Sequence, residues 1–90
     1  MTTTDTQNLD FARLASGAYG ALAPQTTRYY SVTRLTSSKW VMEVSSLGGR
    51  GPHIREEAPT MRQAMVRAEV RELAAQGRTG EALDLLNTIR

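Results

Sequence analysis

The chain has 90 residues, 40% hydrophobic and 22% charged, with a formal net charge of +2. A chain this short forms one modest core and has little material left for the walls of a multi-substrate active site. It contains no cysteine, which excludes disulfides, thiolate nucleophiles and Cys-based zinc sites.

No apolar run approaches the roughly 18 residues that span a bilayer, so no membrane partner is expected. Residues 1–10 show neither a basic start nor an apolar signal core, which makes the cytoplasm the default compartment. Ten of the eleven basic residues are arginine, the better phosphate fork and aromatic stacker. Charge is spread evenly, with no polybasic tail or acidic block.

Residues 1–8 are polar and Thr-rich and read as a disordered start, leaving one domain over 9–90. Phe11, Leu14, Ala15, Ala18 and Leu22 then fall on one helical stripe, with Asn8 or Asp10 as N-cap and Pro24 as a stop. This predicts an N-terminal helix within 9–22, weakened by about 1 kcal/mol at each of Gly17 and Gly20.

Arg28 to Leu35 and Lys39 to Ser45 are rich in Tyr, Val, Thr and Trp and read as strands around a Thr36-Ser37-Ser38 turn. Side-chain parity sets their register. A three-residue loop pairs Leu35 with Lys39 and aligns Arg34 with Trp40, Val32 with Met42, and Tyr30 with Val44. One face then carries Tyr30, Val32, Trp40, Met42 and Val44 as core. The other shows Tyr29, Ser31, Thr33, Val41 and Glu43 and is largely wettable. Leu47 to Pro52 is a Gly-rich connector. Residues 53–58 form a short third strand whose charges suit a sheet edge.

The best helix follows Pro59, with Thr60 and Gln63 placed as a capping box and Gly77 as the residue beyond its end. Met61, Ala64, Met65, Ala68 and Ala75 form one apolar stripe, and Val66, Val70, Leu73 and Ala74 a second. One stripe should meet the sheet and the other a helix, from this chain or from a second copy. A short final helix opens at Thr79 or Gly80 and must dock to persist. The fold class is therefore α+β: a three-stranded antiparallel sheet packed by one long helix, with an N-terminal helix and a short C-terminal helix.

Catalytic chemistry finds little support in these residues. His53 is the only histidine and stands beside a turn. Glu56 and Glu57 are adjacent on a strand and point to opposite faces, so they cannot share a proton. Glu69 and Glu72 lie on a helix surface among Arg62, Arg71 and Gln76 and read as an ion-pair face. The Gly48-Gly49-Arg50-Gly51 loop lacks the Lys-Ser/Thr ending of a phosphate loop. No enzymatic activity, cofactor or metal is expected.

Two features suit binding. Arg67, Arg71 and Arg78 line one flank of the long helix, with Arg50 and Arg55 before it, and such a set grips phosphates or is neutralised by nearby glutamates. Val66, Val70, Leu73, Leu83 and Leu86 supply apolar surface for a protein partner or a homodimer. Aromatics on an exposed sheet face can stack bases, but the register sends Tyr30 and Trp40 to the core and leaves Tyr29 outside.

The stretches Tyr30-Ser31-Val32-Thr33-Arg34, Lys39-Trp40-Val41-Met42-Glu43-Val44, Met61-Arg62-Gln63-Ala64 and Arg67-Ala68-Glu69 resemble, over residues 28–76, the small HicB-like antitoxin domains of actinobacteria and their phages. The resemblance implies a partial RNase-H-like sheet that masks a toxin, often with a separate DNA-binding segment. No ribbon-helix-helix or helix-turn-helix reader is evident here. The order helix, three strands, helix is also similar to a double-stranded RNA-binding domain. That family's lysine pair is replaced here by Thr60-Met61-Arg62-Gln63. The expected function is that of a small non-enzymatic regulatory or inhibitory protein, of a kind carried by phages and mobile elements, that masks a macromolecular partner. The alternative is an RNA- or DNA-binding module working through the arginine flank.

Overall fold

The computed structural model describes residues 9–46 and 53–89. The expected disordered start at 1–8, the connector at 47–52 and Arg50 lie outside these described residues. Among these described residues five strands precede two helices: β1 (Ala12–Ala15), β2 (Ala18–Ala23), β3 (Arg28–Thr36), β4 (Lys39–Ser46), β5 (Ile54–Ala58), α1 (Met61–Ala75) and α2 (Thr79–Leu86). A 3-10 turn over Asn87–Ile89 ends the described chain. The strands pair antiparallel in the order β1-β2-β3-β4-β5.

The sheet thus has five strands, not three, and the expected N-terminal helix is instead the β1–β2 hairpin. Segment 9–22 carries two readable periodicities. The helical stripe would have buried Leu14 and Leu22, yet both are exposed. The alternation Tyr19, Ala21, Ala23 wins instead, because β2 can pair along β3 from Ala18↔Thr33 to Ala23↔Arg28. The two glycines that weaken a helix serve the hairpin. Gly17 takes φ +73° in the turn, a conformation that costs an L-residue about 1–2 kcal/mol. Gly20 lies on the outer face, where a Cβ would collide with the Tyr29 phenol oxygen and stand 3.1 Å from Leu14 Cδ1.

The β3–β4 register matches the parity argument at Arg34↔Trp40, Val32↔Met42 and Tyr30↔Val44. The turn differs at its tip. Thr36, not Leu35, pairs with Lys39, and a bulge between Arg34 and Thr36 absorbs the extra residue. Leu35 is left exposed. β5 pairs with β4 so that Ile54, Glu56 and Ala58 share the face of Val44, Met42 and Trp40, while Arg55 and Glu57 face away.

Helix α1 closes the inward face. Ala64 and Ala68, both fully buried, have small side chains that let the helix lie close on Tyr30, Val32, Met42 and Val44. Burying each of these larger side chains contributes about 1.5–3 kcal/mol. Trp40 is half-buried against the core, its ring tilted 40° to that of Tyr19 at 6.5 Å. Val41 faces the other side and is nevertheless buried. Thr60 caps α1 by accepting from the Gln63 N–H at 3.1 Å. Gly77, at φ +81°, ends it as Arg78 N–H donates to Leu73 O and Gly77 N–H to Ala74 O.

One turn further along the alanine stripe stands Glu72, which has no exposed surface. Its carboxylate accepts from the Tyr30 hydroxyl at 2.7 Å, the Thr26 hydroxyl at 2.8 Å and Gln76 Nε2 at 2.7 Å. Burial, and then the hydrogen bond and charge of Glu72, push the Tyr30 hydroxyl well above its ordinary value, with Arg28 partly opposing.

Replacing Tyr30 by Phe leaves the buried carboxylate one donor short and should destabilise the protein by about 1–3 kcal/mol in urea denaturation. Because Tyr30 is raised in the folded state, its contribution is complete below its ordinary value of about 10 and is lost as pH rises above that. The wild type should therefore lose stability in alkali more steeply than Tyr30→Phe. Equal slopes would show that Tyr30 does not carry the effect. Gly77→Ala should cost about 1–2 kcal/mol in the same assay, since its Cβ has space but its backbone angle disfavours any side chain.

Candidate interaction surface at the arginine cleft

Strand parity turns Glu56 toward the helix side of β5, where Arg67 and Arg71, four residues apart on α1, reach it. Arg67 Nη1 donates to Glu56 Oε1 at 3.3 Å, and Arg71 Nε donates to Oε2 at 2.6 Å. Arg71 Nη2 also contacts that second oxygen. Both carboxylate oxygens are thus engaged, each by a different guanidinium. Arg67 and Arg71 keep 35% and 44% of their side-chain surface exposed, so these pairs stabilise the fold by no more than about 1 kcal/mol each. They remain available to exchange partners.

Beside the two arginines α1 presents Val70, with Ala74 one turn further on, and α2 contributes Leu86. With Glu56 these residues line a cavity of about 240 Å³. The structure therefore brings Arg67 and Arg71 from the cationic set together with Val70 and Leu86 from the apolar set.

The remaining candidates lie elsewhere. Arg55 is on the opposite sheet face, 3.4 Å from Glu57 and 4.0 Å from Glu43. Arg78 pairs with Glu81 at the start of α2, and its guanidinium holds the Glu81 carboxyl below the usual carboxylate range. Leu73 is buried and so presents no surface to a partner. Val66 lines a second, larger concavity of about 390 Å³ with Leu9, Phe11, Met61, Met65 and Leu85. Leu83 is 55% exposed on α2. Tyr29 stays half-buried on the outer face, its phenol laid over Gly20. His53 is exposed, with Nε2 3.3 Å from Glu43 Oε2.

Glu56 belongs to neither candidate set, yet it joins them. Its inward direction follows from the parity of 53–58, but its pairing with α1 does not, because nothing local states how far α1 lies from β5. The outer sheet face divides in two. The β1–β3 half carries Ala12, Ala18, Gly20, Leu22, Tyr29, Ser31 and Thr33, without a charge, whereas Lys39, Glu43, Arg55 and Glu57 form ion pairs on the β4–β5 half.

No helix among the described residues is long and apolar enough to cross a membrane. No protein-family model matches this chain, and neither a curated protein nor a solved structure matches it.

Proposed function

We propose that the chain is a small non-enzymatic binding protein that masks a macromolecular partner, in the manner of a HicB-like antitoxin, through the side of the molecule formed by β5, α1 and α2. The observation that supports this reading is the convergence of Arg67 and Arg71 with Val70 and Leu86 around one cavity. Protein interfaces of high affinity combine desolvated apolar anchors with arginines in this way. A duplex calls instead for cations that track successive phosphates. Here Arg55 faces away from Arg67 and Arg71, and Arg78 is engaged by Glu81.

The test is affinity capture from a bacterial lysate with the full chain, alongside filter-binding titrations against duplex RNA and DNA over a salt series. A protein partner should be retained at near-stoichiometric yield, and Arg71→Gln with Leu83→Asp should weaken that retention about tenfold or more. Tight duplex binding, with a salt slope that falls in Arg67→Ala and Arg71→Ala, would overturn the reading in favour of a nucleic-acid module.

A further inference from the structure

Among the described residues, the cleft between β5, α1 and α2 is unbalanced in charge. Two guanidinium groups face one carboxylate, and both oxygens of that carboxylate are already engaged. The imbalance has a specific location. Arg67 Nε is buried and, among the described residues, donates to no acceptor. A buried N–H left without a partner is costly, and native structures satisfy nearly all such groups. The Arg67 side chain as a whole is about one-third exposed, so an acceptor from solvent meets its outer atoms first and reaches Nε when the side chain turns.

The cavity beside it selects what kind of acceptor this is. Its volume of about 240 Å³ lies below the ~300–1,000 Å³ typical of sites for small molecules and cofactors. The rest of its lining is aliphatic: Val70, Ala74 and Leu86. A planar carboxylate matches the guanidinium fork through two parallel N–H···O bonds. An aliphatic group next to that carboxylate would lie against the apolar wall and remove it from water.

We propose that this cleft binds a carboxylate carried beside an aliphatic group, presented by an acidic segment of a protein partner, with Arg67 and Arg71 as its cationic contacts and Val70 and Leu86 as its apolar ones. The proposal rests on the binding-protein reading above and supplies the chemistry of the partner at that site. Glu56 has two roles in it. It holds the arginines in place while the cleft is empty, and it competes with the incoming carboxylate for their donors.

The test uses the ¹⁵N-labelled full chain and follows the Nε–Hε signals of Arg67 and Arg71 during titration with 3-methylbutanoate. The neutral 3-methylbutanamide and sodium chloride at equal ionic strength serve as controls. The expected result is a saturable shift of the Arg67 signal at roughly millimolar to tens-of-millimolar concentration, absent with the amide. Arg67→Lys keeps the charge but loses the Nε donor and the fork, and should weaken binding about tenfold. Glu56→Gln removes the internal competitor and should tighten it. Arg67→Lys and Glu56→Gln are both read beside the backbone amide spectrum, which reports whether the fold is retained.

A shift no larger than that produced by chloride, or an equal shift with the amide, would overturn the proposal. A larger, steeply salt-dependent response of Arg67 to a DNA duplex would overturn it in favour of phosphate. An Arg67 shift driven by protein concentration alone would assign the carboxylate to a second copy and overturn the heterologous partner. A silent Arg67 with lysate capture intact refutes this site only. Carboxylate binding without any captured partner refutes the masking reading only.

Discussion

The position of α1 depends on one buried carboxylate. Glu72 sits where the alanine stripe of the helix meets the sheet, and three donors from three places converge on it: Tyr30 from the middle of β3, Thr26 from the β2–β3 turn, and Gln76 from the end of its own helix. A buried carboxylate without these partners would be expensive, and with them it fixes direction as well as distance. Apolar contact between Ala64, Ala68 and the sheet would tolerate some sliding of the helix. The hydrogen bonds to Glu72 tolerate much less, because each has a narrow angular range. They also hold the β2–β3 turn, where Thr27 adopts a positive φ of 52°, a strained value for a β-branched residue.

That fixed position carries through to the surface. With Glu72 directed into the core, the neighbouring α1 faces are set by the helical period. Arg67 and Arg71 are carried over β5, and Leu73 is carried to a buried face. Glu56 then meets two cations at once. An inward-pointing charge on the last strand is also a device against edge-to-edge pairing with other chains. The same carboxylate therefore protects an edge and organises the cleft proposed as a binding site. Leu73 is buried, Val70 and Leu86 line that cleft, and Leu83 faces solvent.

The two sheet edges are built differently. β5 carries Arg55, Glu56 and Glu57 along its length, whereas β1 carries Arg13 among Ala12, Leu14 and Ala15. Its shortness and the bulge between Arg13 and Ala15 limit β1 as a template for further strands. On the outer face Gly20 provides the space into which the Tyr29 ring folds, beside Leu14. The ring is thereby partly withdrawn from the surface that an exposed stacking platform would require.

Local chemistry makes several elements legible in the residues themselves. Thr60 and Gly77 mark the limits of α1 because an N-cap oxygen and a positive φ are requirements of the backbone within a few residues. Val32, Met42 and their neighbours define the β3–β4 register because alternation permits one pairing that keeps the faces consistent. Segment 9–22 suggests a helix and folds as a hairpin because its composition satisfies both periods. The choice between them comes from hydrogen bonding to β3, which lies outside the segment. The inward turn of Glu56, the burial of Glu72 and the meeting of Arg67 and Arg71 with Leu86 are likewise settled by distances between elements. Those distances follow from how closely two alanines let a helix approach a sheet and from where one carboxylate finds its donors. Sequence alone therefore determined which residues begin, end and alternate within each well-marked element. The packed chain decided the number of strands and which charges stand together, because these depend on contacts between residues far apart along it.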